Sequence, residues 1–563
     1  MTGISTKHYG HLTGVVVFST IVLAFSIWFP AGYSVVQINI PQNLILSWIR
    51  QTQCARLGGR IENISSAEHG AEGSGFANRS NLWCTIIPED EVSGQLRENS
   101  HLNAVWALIG AAVTLGGTFG VWTANMLIDR LGFRRMFFIT NLFLTIGVAL
   151  SSLVVAIGSY EIFIIGTVGR FLLGFGTGFG SAISFTYIAE ITPANFRGAL
   201  GVAPIISFSI GMLLAAVFSL PQILGTDDYW SYLTLILIAP CVCFFASYAF
   251  LLESPRWVFK KSHDVQKTTQ ILQRLRNVFN VQADLQMIEE ENRVAKEKGT
   301  KVSIIGLFRN GFLRYNVLIC CTAVIAQRLT AYPGVYTYSS NIFRQCGLSK
   351  DVAAYGTIGL LGLQAASAVI GSLLMDKAGR KPLMLIGLFG CAMSLIAMVT
   401  FAALTSYRIC VGCEYGNLAA LFVFIMVYVC GPASVPFILP AEMFGLLTRQ
   451  SATTLIMMLC QGVTAVVSAV FPVMQVYLSQ WTFVIFAGVT LILAVILSLT
   501  LMETKGKTFL EIQASLEKRY FSGHRKRYNN TAVPITIPSI ADLKALPRSI
   551  SNMSTNSGMK RLY

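Results

Sequence analysis

Over most of this chain apolar residues neither alternate nor recur at helical intervals between polar ones; they run on in long stretches. The nearly charge-free runs are Leu12–Ile49, Leu102–Ile128, Met136–Tyr160, Phe171–Ala189, Gly198–Thr226 and Tyr229–Leu252. After a long polar segment come Tyr315–Tyr338, broken by Arg328, then Val352–Met375, Pro382–Tyr407, Tyr415–Ala441 and Gln450–Met502. A membrane-crossing helix needs about 20 apolar residues. Gln450–Met502 has 53 residues and no charge, too long for one crossing, so we cut it near Tyr477–Gln480. The pattern predicts an all-α polytopic membrane protein of twelve transmembrane helices, six on each side of the polar segment. The expected organisation is a cytoplasmic N-terminus (1–11), a six-helix half (12–252), a cytoplasmic helical linker (253–312), a second six-helix half (313–502) and a cytoplasmic tail (503–563).

Composition agrees. Of the 563 residues, 12% are charged and 54% hydrophobic, against roughly 25% charged in soluble proteins. That balance excludes a string of soluble domains, a disordered chain, a secreted disulfide scaffold and an ordinary cytosolic enzyme. The net charge of +15 is read by position. Twelve crossings put both termini on one side, and 32 of the 42 Lys and Arg fall there. Eight fall on the other side, and two, Arg170 and Arg328, lie inside apolar runs. The basic side is cytoplasmic, and anionic inner-leaflet lipid accounts for it without a nucleic-acid partner.

The loop at about 38–100 is then extracellular. It carries the glycan acceptor triplets at Asn63 and Asn78, and Cys54 and Cys84 are candidates to pair in that oxidising compartment. Cys410-Val-Gly-Cys413 in another outer loop reads as a disulfide or two free thiols rather than a zinc site. No metal cluster, catalytic dyad or phosphate loop is discernible, so no cofactor is expected and the chain does not read as an enzyme. Val265–Val294 has helical spacing of apolar residues and suits short cytoplasmic helices. The glycines at 174, 176, 178 and 180 have no strand before them and predict close helix packing.

Two features repeat. Asp129-Arg-Leu-Gly132-Phe-Arg134-Arg135 is echoed by Asp376-Lys-Ala-Gly379-Arg380-Lys381, 247 residues on. Glu190…Arg197 is echoed by Glu442…Arg449, 252 residues on. Two motifs at nearly one offset, each at a corresponding helix end, imply two similar halves related by an axis normal to the membrane. Carboxylates and guanidinium groups near the cytoplasmic boundary can pair and part. A gate that opens and closes needs such a bistable element.

These residues, with Gly32-Tyr33…Asn39-Ile-Pro41-Gln42, Gly169-Arg170-Phe171, Glu253-Ser-Pro-Arg256-Trp257, Gly431-Pro432…Pro436 and Glu503-Thr-Lys505-Gly506, resemble the facilitative hexose transporters, the sugar-porter branch of the major facilitator superfamily. The resemblance covers roughly residues 10–515. It implies two pseudo-symmetric six-helix bundles rocking about a central site, and a plasma-membrane location. The substrate positions it marks are Gln327, Arg328, Gln364, Cys460, Gln461 and Phe437, with Gln37 and Tyr338 added. The gate positions are Asp129, Arg134, Arg135, Glu190, Arg197, Asp376, Arg380, Lys381, Glu442 and Arg449. The family's amide-rich sugar ring is eroded here: Arg328 stands where a second Gln is usual, Pro333 where an Asn is, and Ile205 where a Gln is. The expected substrate is a hexose or related polyol carried by uniport, since the first run has no Asp or Glu. Arg328 motivates an organic anion as the alternative. The eroded site and long tail leave a non-transporting nutrient sensor as an alternative of another class.

Overall fold

The computed structural model describes residues 12–56, 62–63, 85–86, 100–157, 160–193, 196, 200–226, 229–230, 232–297, 302–345, 347–407, 412–505, 507 and 509–524. Of the residues singled out above, Arg197, Asn78, Cys84, Cys410 and the tail from 525 lie outside them, as do the side chains of Asn63, Cys54 and Asp376. Compactness divides the chain into Met1–Ile512 and Gln513–Tyr563. In the second unit the described residues are the end of the helix Phe509–His524.

Among the described residues, ten helical stretches are long and apolar enough to cross a membrane: Gly14–Val36, Ala104–Leu131, Phe133–Leu153, Ile164–Ile191, Tyr232–Phe250, Gly311–Arg344, Lys350–Gly371, Arg380–Thr405, Tyr415–Met443 and Thr448–Thr500. A shorter apolar helix, Ala203–Phe218, lies between the fourth and fifth of these. The longest stretch comprises two helices, Leu446–Leu478 and Thr482–Thr500, joined by the turn Ser479–Trp481. Large apolar side chains such as Ile386 and Leu499 stand exposed on these helices, as a surface bathed in lipid requires and one bathed in water does not tolerate in bulk.

The first apolar run does not form one helix. Its membrane stretch ends at Val36, and Gln42–Arg56 is a separate helix. Beyond it, Glu62–Asn63 pairs in parallel with Thr85–Ile86. The first stretch also carries a π-helical segment, Ala24–Trp28. The cause is Pro30 just downstream, whose ring cannot donate to the ladder and crowds the carbonyl one turn back. The Ala24 carbonyl accepts the Phe29 N–H in the π register and the Ser207 hydroxyl at 2.9 Å as well, so it stays satisfied, as membrane depth demands.

Helix packing is close where the glycines lie. A Cβ on Gly174 would fall 1.8 Å from the Val113 carbonyl oxygen, and one on Gly116 2.0 Å from that of Phe171. Between the two sets of membrane helices lie four short ones, Pro255–Ser262, Val265–Arg276, Gln282–Glu297 and Ile304–Arg309. Asp264 and Ser303 cap the second and fourth with side-chain hydrogen bonds to backbone N–H groups. Thr13 ties the chain's start to the second through the Leu275 carbonyl, 2.7 Å away. Cys413 is disulfide-bonded, its other half lying outside the described residues.

Candidate functional site

Two broken helices build the centre of the second set. The helix Gly311–Arg328 stops at Arg328, and a new helix starts at Tyr332. Between them Ala331 has φ +66°, a left-handed conformation that costs a non-glycine residue roughly 1–2 kcal/mol. Pro333 fits the first turn of the new helix, where its missing N–H is no loss, so the break falls before it. The second break separates Cys413–Cys430 from Val435–Met443.

Breaks release backbone carbonyls into a setting with no bulk water, and side chains must meet them. Gln327 Nε2 donates to the Ala433 carbonyl at 2.8 Å, joining the two breaks directly. Thr490 donates to the Leu329 carbonyl at 3.3 Å, and Thr330 to that of Gln327 at 2.8 Å. Gln327 is almost wholly buried, and its Oε1 has no hydrogen-bond partner.

Arg328 sits at the junction. Its Nε donates to Cys460 Sγ at 3.1 Å, and its electrostatic neighbours are Cys460 and the phenols of Tyr428, Tyr336 and Tyr332. Tyr332 stacks on Tyr428 with ring centroids 3.9 Å apart and meets Tyr336 edge-on at 4.7 Å. Gln364 Nε2 lies 3.0 Å from Met212 Sδ, and the Gln364 side chain also bonds Tyr332. No carboxylate contacts Arg328 among the described residues. A guanidinium deep in a bilayer costs about 2.5–3.5 kcal/mol or more; here phenol oxygens and a thiol offset part of that. The cluster offers guanidinium N–H donors, an unpaired amide oxygen and three hydroxyls, a set suited to the hydroxyls or charged oxygens of a small polar solute.

Of the substrate positions read from the sequence, Gln327, Arg328, Gln364 and Cys460 come together here. Gln461 faces the first set: a Cβ on Gly117 would lie 2.9 Å from its Nε2. Phe437 is half-buried on the helix Val435–Met443. Tyr338 and Gln37 gather elsewhere, around Arg170. The Tyr338 hydroxyl donates to the Ser468 carbonyl at 3.4 Å and neighbours Arg170, and Gln37 lines a small cavity with that arginine. The sequence reading gave Tyr332, Tyr336 and Tyr428 no role. The four-residue spacing of the first two, one helical turn past Arg328, was the available signal.

The two sets touch near both ends of this site. Asn39 Nδ2 donates to the Tyr336 carbonyl at 3.0 Å and to Ser339 Oγ at 2.8 Å. At the other end Thr454 Oγ1 donates to Asn125 Oδ1 at 3.1 Å.

At the base, Arg380 Nε and an Arg380 terminal nitrogen each lie 3.1 Å from Glu442 Oε1, while Thr504 donates to Glu442 Oε2. Lys381 reaches the Ser498 carbonyl at 2.7 Å, and Arg449 that of Phe444 at 3.2 Å. In the first set, Asp129 pairs with Lys260 at 2.9 Å, Ser254 donates to Glu190, and Arg134 lies 4.7 Å over the Tyr248 ring. Arg135 is exposed. Two glutamates not assigned to the gate hold the turns. Glu253 accepts the backbone amides of Phe133 (2.9 Å) and Arg134 (3.1 Å), and Glu503 those of Arg380 and Lys381 (both 3.0 Å). Burial raises the Glu253 carboxyl above its ordinary value. Burial also acts on Glu503, but the amides of Lys505, Arg380 and Lys381 outweigh it and hold that carboxyl below its ordinary value.

Comparison with known proteins agrees with this architecture. The family described as "Sugar (and other) transporter" matches residues 19–516. Facilitated glucose transporter member 3 of Ovis aries is 31% identical over 75% of this chain and 84% of its own length. Member 5 of Bos taurus is 27% identical over 96% and 98% respectively. Among solved structures, the proton:xylose symporter XylE bound to 6-bromo-6-deoxy-D-glucose superposes with a TM-score of 0.66 at 20% identity, covering 89% of this chain and 99% of that one. A partially occluded, inward-open form of the xylose transporter XylE from E. coli gives 0.64 at 17% identity, covering 86% and 100%. The fold is that of the major facilitators, and the chain belongs to the sugar (and other) transporter family, within the sugar-porter branch that moves small polar solutes across membranes by alternating access.

Proposed function

We propose that this protein is a uniporter of a hexose or related polyol. It works as twelve transmembrane helices in two six-helix halves, 12–252 and 313–502. The count joins the ten long apolar stretches with Ala203–Phe218 and treats Thr448–Thr500 as two crossings. The observation that carries the substrate reading is the convergence of Gln327, Arg328, Gln364 and the tyrosines at two helix breaks. Gln461 and Phe437 border the same space, whereas Gln37 and Tyr338 lie apart from it beside Arg170. An apolar first membrane stretch without Asp or Glu supports facilitated flux over proton coupling. The relatives named for glucose transport support a hexose.

Asn39 with Tyr336 and Ser339 closes the outer face, and Asn125 with Thr454 the inner. Asp129, Arg134, Arg135, Glu190 and Arg197, with Asp376, Arg380, Lys381, Glu442 and Arg449, set the inner gate by bracing each half. The protein lies in the plasma membrane with both termini cytoplasmic, Asn63 and Asn78 carrying glycans outside and Cys54 bonded to Cys84.

The lack of an acidic partner for Arg328 among the described residues favours a second reading, an organic anion. Flux into proteoliposomes holding the purified protein decides. Saturable uptake of glucose, fructose or xylose, lost in Gln327→Ala, supports the first reading. Anion uptake abolished by Arg328→Gln supports the second. Solute binding without flux through either would leave a sensor.

A further inference from the structure

Arg170, on the helix Tyr160–Ile191, is the more deeply buried of the two intramembrane arginines, at 7% exposure. One terminal nitrogen donates to the Ser34 carbonyl at 3.1 Å. Its Nε–H has no acceptor, and no carboxylate contacts it among the described residues. Beside it lies a cavity of about 60 Å³. Gln37, Ser151, Thr167 and Thr234 form its polar wall with Arg170, and Trp48 and Trp230 line it as well. Gln37 is 4% exposed. Its Oε1 and the Ser151 Oγ are also without partners.

Size and charge together narrow what such a place can hold. About 10–15 Å³ of such space is enough for one water, so there is room for a few waters or a small ion. Neutral amides and hydroxyls solvate a guanidinium without cancelling its charge, and in a low-dielectric enclosure an uncancelled charge is costly. A monatomic anion accepts N–H and O–H groups from any direction, whereas sulfate brings a second charge that the single guanidinium leaves uncancelled. The Gln37 amide turned end for end presents its NH₂ group, since its O and N ends are interchangeable in shape.

We propose that Arg170, Ser151 and Gln37 hold one small monovalent anion, chloride in kind, in this cavity beneath the helix Gln42–Arg56. The site is separate from the Arg328 cluster, and its occupancy does not depend on which solute is carried.

The test uses the full-length protein purified in detergent, with chloride, bromide or sulfate replacing gluconate at constant ionic strength. Thermal unfolding should shift upward saturably, by several degrees, with chloride and bromide and not with sulfate, as for a ligand bound by the folded state. Arg170→Gln should abolish the shift. Ser151→Ala should move its midpoint at least threefold to higher chloride. Anomalous diffraction from crystals in bromide should place the ion beside Arg170. The proposal fails if no shift occurs, if sulfate matches chloride, or if Ser151→Ala leaves the midpoint unchanged. A shift that persists in Arg170→Gln also overturns it. If Arg170→Gln does not fold, the Ser151→Ala midpoint and the bromide position decide.

Discussion

Glu253 and Glu503 hold the same place in the two repeats: each follows the last apolar stretch of its set and accepts two successive backbone amides from the turn that carries the basic motif. The turns are made for it. Gly132 and Gly379 have φ +82° and +96°, and a Cβ on either would lie 2.8 Å from an Oε2 of its glutamate. Gly132→Ala and Gly379→Ala therefore meet a left-handed backbone and a carboxylate at once. Each should cost at least about 1–2 kcal/mol, read as a fall of several degrees in the unfolding temperature of the purified protein. An unchanged midpoint in either would show that the turn relaxes freely.

The two carboxyls should respond to pH with opposite signs. Glu253 lies above its ordinary value of 4.5 and Glu503 below it. A raised carboxyl contributes stability below 4.5 that is lost as pH rises through its folded value. A depressed one contributes stability above 4.5 that is lost as pH falls through its folded value. The gap in unfolding temperature between wild type and Glu253→Gln should thus move against the wild type as pH rises from about 4.5 toward neutral. For Glu503→Gln it should move against the wild type as pH drops below about 4.5. Parallel trends in the two variants would contradict this assignment.

Ion pairs at the inner face should differ in weight. Lys260 and Asp129 are about half exposed, at 49% and 48%, whereas Arg380 and Glu442 are at 16% and 23%. Exposed pairs contribute about 0–1 kcal/mol, so Asp129→Asn should shift stability by less than about 1 kcal/mol. Glu442→Gln leaves a shielded guanidinium with a weakened partner and disturbs Thr504 as well. About 2 kcal/mol is expected there. Thermal unfolding with paired flux assays compares them, and equal effects would mean that solvent reaches both pairs alike.

The membrane stretches and the repeat were legible because each leaves a mark in the order of residues: long apolar runs, and motifs at one offset. The amide-accepting role of Glu253 was not, since a backbone donor has no residue type to read. Arg328 announced itself by charge alone, but its ring of tyrosines required knowing that the helices Tyr332–Gln345 and Cys413–Cys430 lie side by side. No charge divides the first apolar run, although the outer loop was expected from about residue 38. Pro41 and the turn before Gln42 end the helix there with neutral residues. Tyr338 and Gln37 were assigned to the central site by position in the chain, and packing took them to Arg170 instead.

Ala331 tests whether the central break is held by strain. It is wholly buried, with φ +66°, between Arg328 and the first residue of the next helix. Alanine there bears a cost of roughly 1–2 kcal/mol that glycine does not, so Ala331→Gly should fold with an unfolding temperature equal to or above that of the wild type. Part of the gain is offset by the greater freedom glycine gives the unfolded chain. Valine adds branching at Cβ to a backbone that already disfavours any side chain, inside a space with no room to spare. Ala331→Val should lose several degrees and most of the flux, because straightening the break would carry Arg328 away from Cys460 and Gln327 away from the Ala433 carbonyl. If the valine variant matches the wild type in both measurements, the left-handed turn is not what positions the site.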